Sequence, residues 1–337
     1  MAGCKLQTLP ATRYLPLATK IMSSQITINV YEAAHNDAIL VDRSDLGMIK
    51  ITGETRLDLL HRMSTQNLNG LQSGTGAATV LTTDIARIID RLILYVASDT
   101  VYALTSENNA DNIARYLMRF VFFNDDFHME DISADTAVFA VYGPKAKEKL
   151  VAAGFPDEDL PLHHWRQLTV NGETVYLHRT DPINGDGYFV MCPEKDREAV
   201  WQYLVDVGLV VADEAAFEML RIEAGLPRFA HELSPDYIPL EADLWDDVSF
   251  SKGCYIGQEV IARMESRGKM AKKMTRLAAA DAIVREGKLT ANGKGAGTIT
   301  SVAAGPNGFV ALGFVKTAVL ETQTPLLVDE VPVQVVD

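Results

Sequence analysis

Apolar residues along this chain come in short runs, broken by glycine, aspartate or asparagine. ILVDRSDLGMIKITG at 39–53 predicts extended segments that end in a turn at Gly53. From 55 to 67, Leu57, Leu59, Leu60 and Met63 lie among polar residues and predict an amphipathic helix. A turn region at 70–76 leads into AATVLTT, RLILYVA and VYALT, which predict neighbouring antiparallel strands within 77–104. A helix follows over 108–122, with Ile113, Tyr116, Leu117, Phe120 and Val121 at spacings of three and four. AVFAVYG at 137–143 predicts a strand, and Pro144 occupies a favoured first-turn position before a helix reaching Leu150. TVYLHRT and GYFVMCP predict two more strands, and 195–207 a helix with Val200, Tyr203 and Leu204 inward. Strands and helices do not strictly alternate, so the class is α+β. Residues 208–275 read as irregular and dense in motifs. From Met274 onward, short β runs with frequent glycine predict a small antiparallel barrel or sandwich. These shifts divide the chain into an extension (1–24), a first α+β domain (25–135), a second (136–273) and a C-terminal β domain (274–337).

Composition supports a folded chain. Of 337 residues, 47% are hydrophobic and 23% charged, enough apolar surface to offset the entropy of ordering. The net charge of −14 argues against nucleic acid wrapped over the whole surface. Cys4, Cys192 and Cys254 are too few and too scattered for a disulfide framework or an all-protein Cys4 site, and the histidines show no metal-ligand spacing. We therefore read no metal site. No run reaches the ~18 apolar residues of a membrane span, so a reducing, cytoplasmic compartment and a monomer are expected. Residues 1–24 carry Lys5, Arg13 and Lys20 and no acid. A transit peptide to the mitochondrial matrix is the alternative reading, but Pro10 and Pro16 interrupt any amphipathic helix. A disordered extension, with Met22 as the true start, is favoured.

The densest chemical signal is KGCYIGQE at 252–259. Gly253 and Gly257 flank the cysteine, and Val260, Ile261 and Met264 begin a helical pattern. Cys254 is expected on a tight turn at or just before a helix N-terminus, where backbone N–H groups, the helix dipole and Lys252 favour a thiolate. Two readings stand: a reactive thiol or anion-binding turn, and a small buried hydrophobe in a turn that needs glycine. Upstream, Arg221 and Glu223 form either a local salt bridge or a clamp on a ligand carboxylate. A five-acid stretch at 236–247 faces a basic run at 263–276 of Arg263, Arg267, Lys269, Lys272, Lys273 and Arg276, a weak candidate for a polyanion.

KGCYIGQE, RIEAGLPR at 221–228 and IPLEADL at 238–244 resemble the folate-binding YgfZ family, a branch of the glycine-cleavage T-protein (aminomethyltransferase) superfamily that includes iron–sulfur assembly factors. The likeness extends at lower specificity over residues 39–320. It implies two ferredoxin-like units and a C-terminal antiparallel barrel in a ring around a folate channel. It also implies that Cys254 is the functional residue, its turn shaped by Lys252, Gly253, Tyr255, Gly257, Gln258 and Glu259. Arg221, Phe217 and Glu223 are implied at a tetrahydrofolate site, with Phe217 stacking on the pteridine.

The sequence also departs from the aminomethyltransferase pattern. Ile113 falls where a catalytic aspartate is expected, with Asp111 off register, and Gly185 falls where a folate-binding glutamate is expected. Leu46 replaces a folate-facing tryptophan of some relatives. The implied function is a folate-binding accessory protein for iron–sulfur enzymes, tRNA-modifying ones included. Its partners would be such enzymes or carrier proteins, and any cluster would be transient and shared with a partner. The alternative is a tetrahydrofolate-dependent aminomethyl or methyl transferase or demethylase. A tRNA-binding module using the basic run is a third reading.

Overall fold

The computed structural model describes residues 29–268 and 270–336. Cys4 and the readings attached to residues 1–24 lie outside them. The described chain opens with helix α1 (29–36) and strand β1 (Ile39–Asp42). Strand β2 (Leu46–Thr52), helix α2 (Arg56–Met63), strands β3 (Gly76–Thr82), β4 (Ile88–Val96) and β5 (Thr100–Glu107), helix α3 (Ala110–Met118) and strand β6 (His128–Asp131) form a sheet in the order β3-β4-β5-β2-β6. Strand β4 shows how the sheet is buried on both faces. Leu92 and Leu94 pack with Leu59, Leu60, Ile113 and Leu117 of the two helices, while Ile93 and Tyr95 point into the opposite layer.

That opposite layer is a second sheet. Strand β7 (Thr136–Gly143), helix α4 (Ala146–Ala152), strands β8 (Trp165–Val170), β9 (Glu173–Arg179) and β10 (Asp186–Pro193), helix α5 (Arg197–Asp206) and strand β11 (Val210–Val211) pair in the order β11-β1-β7-β10-β9-β8. Strand β1 thus belongs to this sheet although it precedes β2, with Ile39 opposite Tyr142 and Val41 opposite Ala140. Ile39 joins the inter-sheet core and Leu40 the core under α4 and α5, so β1 needs cover on both faces.

The stretch 208–275, expected to be irregular up to the helical pattern after Gly257, holds two ten-residue helices, the unexpected α6 (Glu214–Glu223) and the expected α7 (Gln258–Arg267). The Asp213 carboxylate caps α6 by accepting the Ala216 N–H. The C-terminal part contains β12 (Lys272–Ala279), β13 (Lys288–Ala291), β14 (Lys294–Gly305), β15 (Gly308–Lys316), helix α8 (Thr317–Glu321), β16 (Leu326–Val328) and β17 (Val331–Val336). Its strands close into an antiparallel barrel, β12-β15-β14-β13-β16-β17. The expected α+β class with a terminal barrel is what the chain adopts. Among the described residues no helix is long and apolar enough to cross a membrane.

Candidate functional site

The two sheets meet α6 and the segment that follows it at a central cavity of ≈ 120 Å³. Leu46, Ile93, Phe189 and Phe217 supply apolar walls, and Arg43, Arg91, Glu107 and Asp181 supply charge. Each charge is already paired. Arg43 donates to Glu107 at 2.8 Å, and Arg228 lies 3.0 Å from the same carboxylate. Arg91 donates to Asp181 at 2.8 Å and to Asp247 at 2.6 Å, so one strand β4 side chain ties both sheets to the segment before α7. Arg91 holds the Asp181 carboxyl below its usual range despite burial. Beside Arg91, Asp90 is fully buried and accepts from Ser106 and Asn109; burial raises its carboxyl to about 6.

Phe217 lines this cavity, as does Arg221. The Phe217 ring carries the Arg43 guanidinium 4.4 Å from its centroid and an offset stack with Tyr142 at 6.3 Å. A pteridine stacking on the face under Arg43 would have to displace it. Arg221 is not a free clamp. Its five N–H donors go to both oxygens of Glu218, to Glu232, to the Leu226 carbonyl and to Ser301. The expected Arg221–Glu223 bridge does not form, because residues two apart on a helix point apart. Glu223 instead accepts from the Tyr31 hydroxyl at 3.0 Å and lies 3.5 Å from His35, beside a different, small cavity.

KGCYIGQE forms a clamped segment against the first sheet. Lys252 does not approach the thiol as a partner. Its buried ammonium donates to the carbonyl of His61 in the last turn of α2 and to those of Ser64 and Gln66 just past it, and lies 5.0 Å from the Tyr255 ring centroid. Burial lowers its pKa to about 8. Thr82 donates to the Ile256 carbonyl at 2.7 Å. Gly257 caps α7 with φ +86°, and a Cβ there would meet Thr82 Oγ1 and the Thr83 carbonyl at 2.7 Å. Gly253 has open space around it. Tyr255 is buried and its hydroxyl is pushed up to about 12. Gln258 starts α7, and Glu259 is exposed and paired with Arg263 at 2.6 Å. Cys254 lies just before the helix, three residues ahead of the cap, and is exposed, so the buried-hydrophobe reading fails.

The two departures have structural counterparts. Ile113 is buried in the core of α3. Gly185 adopts φ +137°, and a Cβ there would come within 2.8 Å of the Pro144 backbone. The acids at the cavity are instead Glu107 and Asp181, which sequence reasoning missed. A signal for the Arg91 that pairs with Asp181 was present in IIDRLILYV, where adjacent charges interrupt an otherwise apolar strand. Three described side chains of the basic run have partners of their own. Arg263 pairs with Glu259, Lys272 sits 4.3 Å from the Tyr237 ring centroid, and Arg276 donates to the Glu223 carbonyl. Among the described residues no group of three or more His, Cys, Asp or Glu is placed to hold a metal.

Two stacked sheets, a closed barrel and a cavity enclosed by the sheets and α6 define a three-part α+β protein. Residues 11–252 match the GCVT N-terminal domain. The chain belongs to that family. A chloroplastic protein of Arabidopsis thaliana named as a transferase is 30% identical over 288 residues, 85% of this chain and 67% of that protein. The aminomethyltransferase of Caldanaerobacter subterraneus is 30% identical over 72% of this chain and 66% of its own length. The match spans about two thirds of the length of these two relatives. The solved structure of glycine cleavage system aminomethyltransferase T from Bartonella henselae superposes with a TM-score of 0.80 at 22% identity, covering 92% of this chain and 88% of that one, and carries the fold.

Proposed function

We propose that this protein binds a tetrahydrofolate at the central cavity and presents Cys254 to iron–sulfur proteins, supporting assembly or repair of their clusters. The carrying observation is the setting of Cys254. Its neighbours Lys252, Thr82 and Gly257 fix the segment, yet the thiol itself stays in solvent. A clamped segment with an exposed nucleophile suits contact with a macromolecule better than chemistry in a closed pocket. The YgfZ-like KGCYIGQE sequence supports the same reading.

The folate fits in part. Flat apolar walls and paired polar edges suit a pteridine ring. At ≈ 120 Å³ the cavity is below the ~300–1,000 Å³ of typical small-molecule pockets, so the rest of the molecule would lie outside it. When bound, the folate supplies a one-carbon carrier. Phe217 and Leu46 would enclose the ring, and Asp181, held ionised by Arg91, would accept from its N–H edge. A cluster handled by Cys254 is cargo, and its other ligands would come from a partner, because one thiolate fills only one ligand position.

Two measurements test this. A Cys254→Ser chain should fold normally but fail to restore [4Fe–4S] enzyme activity in cells lacking the protein; full restoration would refute the cysteine role. Calorimetric titration with tetrahydrofolate should show saturable binding that Phe217→Leu weakens; absence of binding would remove the folate. A second reading, a folate-dependent aminomethyl or methyl transferase, is favoured by the names of the relatives and by Asp181 and Glu107 at the cavity. Tetrahydrofolate-dependent release of ammonia from an aminomethylated carrier protein would establish it.

A further inference from the structure

A second cavity of ≈ 320 Å³ lies between the two sheets and shares no lining residue with the central one. Tyr95 stands between them: its ring packs 4.0 Å from that of His178, and its hydroxyl lies in the field of Asp181 and Arg91. The second cavity is lined by Tyr102, Trp165, Tyr176, Met48, Met191 and His178. Tyr102 and Tyr176 pack on Trp165 at 6.4 and 6.1 Å, and His178 stacks on it at 15° between planes.

His178 is the informative residue. It is 3% exposed, and neither ring nitrogen has a hydrogen-bond partner. Burial lowers its pKa to about 3, so at neutral pH it is an uncharged imidazole with one donor and one acceptor unused. Buried polar groups of native proteins are almost always satisfied, and two orphan nitrogens on one ring at a cavity wall point to an occupant. Polarisable aromatic and thioether walls favour a flat ring system. The cavity also bears Lys50, Glu130 and Asp135. Lys50 already lies 3.7 Å from Glu130, so the local charge is negative and repels phosphate.

We propose that this cavity is a second small-molecule site that takes an uncharged planar nitrogen heterocycle, from nucleobase to nucleoside in size, with His178 bonding its polar edge. The volume is at the lower end of the usual ~300–1,000 Å³ range, which suits a ligand of that size.

Calorimetry on the full chain at pH 8 with adenosine, benzimidazole and adenosine monophosphate tests the proposal. Adenosine and benzimidazole should bind saturably, and the monophosphate about tenfold or more weaker. His178→Phe removes both orphan nitrogens but keeps a ring, so it should raise Tm while weakening adenosine about tenfold or more. Tyr176→Ala, at a half-buried wall position, should weaken adenosine with Tm nearly unchanged. The proposal is overturned by lack of saturable binding, by unchanged affinity in His178→Phe, or by equal affinity for the monophosphate. It is also overturned if tetrahydrofolate competes with adenosine, which would make this cavity part of the folate site.

Discussion

Arg221 and Glu232 meet 3.0 Å apart inside the molecule, at 2% and 0% side-chain exposure. Glu232 also accepts from Thr300 and Ser301 of barrel strand β14 and from the Arg228 backbone N–H. The pair therefore bolts α6 to the barrel. Arg221→Met should cost about 3–5 kcal/mol, because it strands a buried carboxylate. The loss should show as a clear fall in urea midpoint, and Glu232→Gln added to the variant should recover part of it. If Arg221→Met instead leaves stability intact and only weakens folate, the arginine is a ligand clamp after all.

Gly257 and Gly253 flank the same cysteine yet should behave differently. Gly257→Ala puts a methyl into a positive-φ residue and against the Thr82 and Thr83 atoms at 2.7 Å. We expect a loss of about 1–3 kcal/mol. Gly253→Ala meets nothing within 4 Å and should be near neutral. Thermal melts of the two variants side by side decide the matter.

The two described thiols should separate in labelling. Cys254 is exposed, while Cys192 is 1% exposed and burial pushes its thiol up to about 12. In a Cys4→Ser background, Ellman's reagent should titrate one thiol in the native protein and the second only after denaturation. Two fast thiols would mean that the second sheet opens readily.

What could be read from the sequence followed how local its cause was. Strands β1 to β5, β7, β9, β10 and those of the barrel showed as short apolar runs because each element's own period carries the signal; the short, largely exposed β6, β8 and β11 did not. Helix α6 did not: Ala216, Phe217, Met219, Leu220, Arg221 and Ile222 are all buried, which leaves little polar face to mark a helix. The membership of β1 in the second sheet was hidden because its partner strands, β7 and β11, begin only at Thr136 and Val210. The cysteine motif stood out because its residues are contiguous. The direction of Lys252 did not, since its acceptors lie 186 to 191 residues away.

Lys252 gives a pH signature. An ordinary lysine titrates near 10.5, and burial lowers this one to about 8 in the folded chain. Between those values the unfolded chain holds more protons than the folded one, so this group's contribution to stability rises with pH through the window. The same contribution is lost as pH falls through about 8. Wild-type protein and Lys252→Met, unfolded by urea in parallel from pH 7.5 to 10, should therefore diverge, with the difference moving in favour of wild type as pH rises. At neutral pH the ammonium is charged and the three carbonyls at the C-terminal end of α2 are satisfied, so Lys252→Met should also loosen the segment and speed labelling of Cys254. A pH-independent stability difference would mean that the three carbonyls offset the desolvation and leave the lysine near its ordinary pKa.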